Sequence, residues 1–132
     1  MVRIDATYDG NLRCTATHEP SVKQLITDAP LDNMGKGESF SPTDLLATSM
    51  LTCIMTIVAI RADSKKIDVS VMTGSVEKTM ASGPRRVAKL EIVVNLPSGL
   101  DIEDRAWLIT EGCNCPVCVS VSESMEVDVT FQ

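Results

Sequence analysis

Between Leu45 and Ile60 the chain runs for sixteen residues without a charge. A segment with no polar face cannot be a surface helix, which needs one hydrophilic side. As a helix the run is ~24 Å long, short of a bilayer core of ~30 Å. It also carries Thr48, Ser49, Thr52 and Thr56. The segment is therefore read as the buried central helix of a small soluble protein, with Cys53 in its middle. Its start is marked by Ser41-Pro42-Thr43-Asp44. Ser41 can accept an unpaired N–H of the first turn, Pro42 loses nothing at the first helical position, and Asp44 suits the positive helix end. Phe40 and Leu45 are spaced for a hydrophobic staple. The helix is expected to end near Asp63-Ser64.

Strand signals flank this helix. Val2, Ile4, Ala6 and Tyr8 alternate with polar residues, and so do Leu12, Cys14 and Ala16; Asp9-Gly10 between them suits a two-residue hairpin turn. Val22 to Thr27 reads as a third strand, and Asp28 to Ser39 as a loop broken by Pro30, Gly35 and Gly37. Beyond the helix, Ile67, Val69 and Val71 predict the start of a second strand group, and Arg86 to Leu96 holds period two most cleanly. Met80 to Pro84 between them reads as a hairpin loop. Asp101 can cap a helix from Ile102 to about Glu111, with Ile102, Ala106 and Ile109 on its inner face and Gly112 ending it. Cys115-Pro116 opens a short helical piece, and Met125 to Phe131 alternates as a last strand. The order predicts an α+β fold, a mostly antiparallel sheet packed on the long apolar helix. Since that helix is apolar all round, a homodimer is expected to cover the rest.

At 132 residues a single domain spanning 1–132 is expected. Met1 to Asp5 leads straight into the first strand pattern, without a leader. Five cysteines are an odd number, which favours reduced thiols in the cytoplasm over a disulfide framework. A net charge of −6 with two Phe, one Trp and one Tyr argues against nucleic acid, and no membrane-surface signal is present.

The cysteines carry the chemistry. Buried Cys commonly acts as a small hydrophobe, which is the plain reading of Cys14 and also open for Cys53. Cys115 falls at a helix N-cap, where unpaired N–H groups stabilise a thiolate. Cys113, Cys115 and Cys118 form C-N-C-P-V-C. Zinc would need a fourth ligand, and with one histidine and no second C-x-x-C no metal site is expected. A C-P-V-C dithiol of the kind used by disulfide oxidoreductases is the alternative, although that motif normally opens a long helix after an early strand.

Phe40-Ser41-Pro42-Thr43-Asp44-Leu45-Leu46-Ala47 running into Thr52-Cys53, followed some sixty residues later by Cys115-Pro116, resembles the OsmC/Ohr family of thiol-dependent hydroperoxide reductases, in its OsmC-like branch. Asn11-Leu12-Arg13-Cys14 and Gly35-Lys36-Gly37 fit the same pattern. The resemblance implies an intertwined α+β homodimer. Cys53 would be the peroxide-attacking residue, Cys115 the resolving residue and Arg13 the cation that holds the Cys53 thiolate. It implies an organic hydroperoxide as substrate, an external dithiol as reductant and no cofactor. Met50, Leu51, Met55 and Ile57 are then available as apolar walls, or as ordinary core. Peroxidase members carry a glutamate directly after the helix-opening proline, where this chain has Thr43; Asp44 lies nine residues before Cys53, about 180° away round the helix. A regulatory or otherwise non-peroxidase thiol protein on the same fold is the other reading. No family role attaches to Cys113 or Cys118.

Overall fold

The computed structural model describes residues 1–121, 123 and 125–132. It is an α+β structure in two compact units, Met1–Leu46 and Ala47–Gln132. The boundary between them falls within the long helix α1, Pro42–Ser64.

The first unit is an antiparallel meander of β1 (Ile4–Gly10), β2 (Arg13–His18) and β3 (Lys23–Asp28), in that order. Gly10 pairs with Arg13, so the tip residues are Asn11 and Leu12, both at positive φ, rather than the expected Asp9-Gly10. Asp9 stays in the strand because its carboxylate accepts from the Thr7 and Thr15 hydroxyls, at 3.2 and 2.6 Å. Gly10 takes a left-handed conformation where the register shifts, which suits a residue without Cβ. The loop after β3 folds back on that strand. The Asp28 N–H donates to the Phe40 carbonyl and the Ser39 hydroxyl to the Ile26 carbonyl. A 3-10 turn, Leu31–Asn33, sits inside it.

At the start of α1 the Ser41 N–H donates to Asp44 Oδ2 (2.8 Å) and the Asp44 N–H donates to Ser41 Oγ (3.1 Å). This is a reciprocal capping box with Asp in the place usually held by Glu. It satisfies the Ser41 N–H as well as an orphan N–H of the first turn.

The second unit contains β4 (Thr73–Ala81), β5 (Arg86–Asn95), α2 (Ile102–Cys113), α3 (Pro116–Val121) and β6 (Glu126–Phe131). β5 lies in the middle of the sheet, antiparallel to β4 and parallel to β6. Leu90, Ile92 and Val94 point from β5 into the core, where α1 contributes Met50, Ile54 and Val58. Each such fully buried side chain contributes about 1.5–3 kcal/mol of transfer free energy. By length and composition α1 could cross a membrane. In this unit it is the core helix, with Ala47, Met50, Ile54, Val58 and Ala62 forming its buried stripe.

Three expectations are corrected here. No strand forms over Ile67, Val69 and Val71; β4 begins at Thr73. Lys66 takes a left-handed conformation, the Ser70 N–H turns back onto Asp68 Oδ1 (2.8 Å), and the Met72 N–H bonds the Val69 carbonyl. Those local bonds occupy the backbone that a strand would need. On α2 the buried residues are Leu108 and Gly112, whereas Ile102 and Ala106 are exposed. Gly112 does not end the helix. A Cβ there would meet Val58 Cγ2 at 2.9 Å, Phe131 Cζ at 3.1 Å and Ile54 Cγ2 at 3.3 Å, so it is the point of closest approach to α1 and β6. Asp101 holds the N-cap position of α2 without a side-chain cap bond.

Candidate active site

The second unit gathers four of the five cysteines near one helix start. Cys53 is half-buried in the middle of α1, and Cys115 is fully buried directly before Pro116, the first residue of α3. The turn joining α2 to α3 holds Cys115 through its N–H, which donates to the Gly112 carbonyl at 3.2 Å. Proline at the first position of α3 has no N–H to leave unpaired. The Cys118 N–H donates to Cys115 Sγ at 3.3 Å, and the Val117 N–H lies close enough to Cys53 to favour its thiolate. Cys115 thus caps α3 with its thiol. Cys53 and Cys118 both lie close enough to Cys115 for it to raise their thiols. Met50, one turn before Cys53, accepts from the Cys118 thiol at 3.0 Å through its Sδ.

This setting works against ionisation of Cys53 and Cys118. Burial pushes the Cys53 thiol above its ordinary value, and the hydrogen bond and charge of Cys115 push the same way; the Val117 N–H opposes them. Burial likewise pushes Cys118 up, to about 12, aided by the Cys115 hydrogen bond and by the charges of Cys115, Cys113 and Cys53. Cys113 stands exposed at the end of α2 and is raised by desolvation and then by Cys115. Cys113 and Cys118 also line a cavity of about 290 Å³, with Met125, Val127 and Val129 of the last strand region.

Of the three residues singled out in the sequence, the structure brings Cys53 and Cys115 together. Arg13 belongs to the first unit, at the start of β2. There its guanidinium pairs with Glu38 and, at 3.4 Å, with the fully buried Asp28. Asp28 Oδ2 also accepts the Glu38 N–H at 2.9 Å. Thr43 meets the Ser41 hydroxyl at 3.1 Å. Leu51 and Met55, both half-buried, lie against Gly74 of β4, whereas the buried Met50 touches the thiol cluster. Among the described residues, no group of three His, Cys, Asp or Glu is arranged to hold a metal ion.

The sequence places Cys115 at an N-cap and pairs it with Cys118 in C-P-V-C, but does not show that Val117 faces Cys53 or that Met50 meets Cys118. The C-x-x-C spacing carried a signal for Cys118, since the third residue of a helix donates its N–H to the cap. Met50 stands in the sequence only as a possible apolar wall; its sulfur contact with Cys118, distant in the chain, has no sequence signal.

The sequence profile of the family described as OsmC-like protein matches residues 35–130. Among solved structures, a protein from Psychrobacter arcticus 273-4, named for osmotic stress induction and a detoxification response, is 41% identical. It superposes with a TM-score of 0.94 over 100% of this chain and 96% of its own. An organic hydroperoxide resistance protein from Elizabethkingia anophelis is 20% identical with a TM-score of 0.80, over 100% and 95% of the two chains. The organic hydroperoxide resistance protein OsmC of Legionella pneumophila is 17% identical with a TM-score of 0.77, over 100% and 96%. These last two share the fold. No functionally curated protein matches the sequence.

Proposed function

The chain belongs to the OsmC-like family, and from that membership we propose that it is a thiol-dependent peroxidase that reduces organic hydroperoxides to alcohols. The observation that carries the reading is the approach of Cys53, from the middle of α1, to Cys115, at the cap of α3, close enough that Cys115 raises the Cys53 thiol. Two thiols far apart in sequence, one at the middle of an apolar helix and one at a helix cap, form the pair that peroxide reduction by disulfide formation needs. Organic hydroperoxide resistance proteins share this fold.

In this reading the Cys53 thiolate attacks the O–O bond of the hydroperoxide. The alkoxide leaves as the alcohol after taking a proton, and Cys53 becomes a sulfenic acid. The Cys115 sulfur then displaces its hydroxyl, giving a Cys53–Cys115 disulfide and water. An external dithiol restores both thiols and is itself oxidised to a disulfide. Because burial raises the Cys53 thiol, the reaction requires a cation to favour its thiolate. Arg13 is the residue this reading assigns to that task, since a guanidinium stays charged when desolvated. The active form is an intertwined homodimer in the cytoplasm, where the five cysteines stay reduced between turnovers. Apolar residues around Cys53 favour organic hydroperoxides over hydrogen peroxide.

The test is consumption of cumene hydroperoxide by purified protein with a dithiol. Cys53→Ser is expected to fall to the uncatalysed rate. A Cys53→Ser protein as active as its parent ends the assignment, and a parent that consumes no peroxide with any dithiol supports a non-enzymatic thiol protein.

A further inference from the structure

The Cys115 sulfur is approached from two sides. Cys53 meets it from α1 and Cys118 from within α3, as the N-cap and third residues of the same helix turn. Cys115 has no exposed surface, so a bond between it and Cys53 offers an incoming reductant only the half-buried Cys53 side. Cys118 is half-buried too, but it stands in the wall of the cavity of about 290 Å³ that it shares with Cys113, Met125, Val127 and Val129.

We infer that Cys118 is a third redox residue: it takes the disulfide over from Cys53, and the resulting Cys115–Cys118 bond in the cavity wall is the one the external dithiol reduces. The inference rests on the peroxidase reading of Cys53 and Cys115. In the transfer step the Cys118 sulfur attacks the Cys115 sulfur. The Cys115–Cys118 bond forms, the Cys53–Cys115 bond breaks, and the Cys118 proton ends on Cys53. No electrons enter or leave. The dithiol then supplies two electrons and two protons, releasing Cys115 and Cys118 as thiols. Residues three apart in a helix turn have Cβ atoms ~5–6 Å apart, a little beyond the ~3.8 Å of a disulfide. Small adjustment of the first turn of α3 is enough, as in other C-x-x-C motifs at helix starts. Exchange is fast only when the attacking sulfur ionises and the attacked one is accessible in line.

Oxidation of Cys53 and Cys115 removes part of what holds Cys118 back. Beyond burial, Cys118 is raised by its bond to Cys115 and by charge on Cys115, Cys113 and Cys53. Once Cys53 and Cys115 are joined, neither carries charge and that thiol–thiol bond is gone. Burial, the largest of these causes, and Cys113 remain.

A quenched time course tests the relay. Reduced protein receives one equivalent of cumene hydroperoxide, samples are alkylated at intervals, and disulfides are mapped by peptide mass spectrometry. The wild-type chain is expected to show Cys53–Cys115 first and Cys115–Cys118 afterwards, with Cys53 again open to alkylation. Cys118→Ser and Cys118→Ala are expected to stop at Cys53–Cys115 and to lose the second species. A wild-type Cys53–Cys115 bond that persists until dithiol is added overturns the relay, as does transfer to Cys113 in place of Cys118. Those outcomes leave the peroxidase reading standing. Absence of both Cys53 sulfenic acid and any Cys53 disulfide, in wild type and variants alike, overturns the two together.

Discussion

A thiol set in an apolar helix starts at a disadvantage as a nucleophile, because burial favours its neutral form. Cys53 is in that position, and the Val117 N–H offsets only part of the cost. If Arg13 supplies the missing stabilisation, replacing it by Gln raises the Cys53 thiol further, while the amide can still donate to Asp28. Each unit of rise lowers the thiolate fraction at neutral pH about tenfold. Single-turnover peroxide consumption by Arg13→Gln should therefore need a higher pH to reach the wild-type rate, and superimposable pH profiles would remove Arg13 from the mechanism. The raised thiols also make stability depend on pH. Cys53, Cys113 and Cys118 all lie above their ordinary values, so the folded chain holds their protons longer than the unfolded one. Their contribution is fully present below the unfolded thiol pKa of about 8.5 and is lost as pH climbs through the folded values. Thermal unfolding of the reduced protein should show Tm falling from about pH 8.5 upward, and Cys118→Ala should flatten that slope. At this scale the sequence told much about Cys115, because Cys-Pro defines a cap. It told little about what surrounds the sulfur, because Met50 and Cys118 meet only through tertiary packing.

Helices and strands differ in how openly they declare themselves. β5 was legible because a central strand buried on one face shows period two, and Leu90, Ile92 and Val94 are buried in that phase; Val87, beside the register shift, is buried out of it. α1 was legible because a long uncharged run with a Ser-Pro-Thr-Asp start leaves few alternatives. α2 was placed but turned the wrong way. Its burial centres on Leu108 and a glycine, and glycine leaves no mark in a hydrophobic pattern. Gly112 supports a prediction whose sign is informative. On helix propensity alone, Gly112→Ala would stabilise by about 1 kcal/mol. Packing reverses this, because the new methyl would press on Val58, Ile54 and Phe131, three side chains of the core. Overpacking of this kind costs about 1–3 kcal/mol. Denaturant unfolding should show a lower midpoint with an unchanged slope. A higher midpoint would mean that α1, α2 and β6 approach less closely than described.

For the whole molecule the sequence predicts more burial than one chain supplies. Ile4, Ala6 and Tyr8 of β1 lie on one face with His18, Ala16 and Cys14 of β2, their cross-strand partners, and with Leu25 of β3. The alternation there predicts an inward face, yet Ile4, Tyr8 and Leu25 are 65%, 67% and 44% exposed. A three-stranded meander in water needs its apolar face covered to be stable. The proposed second copy is what would cover it, and the meander would then form only as the dimer forms. Folding coupled to association makes stability depend on protein concentration, by about 1.4 kcal/mol per mole of dimer for each tenfold change. The apparent Tm should rise as the protein is concentrated, and sedimentation velocity should give twice the chain mass. Tyr8→Glu places a charge on the face to be buried, so it should shift sedimentation toward the single chain and remove the concentration dependence. A Tm that stays constant over a hundredfold dilution, with a single-chain sedimentation coefficient, would leave that face open to water and require another account of why its strands alternate.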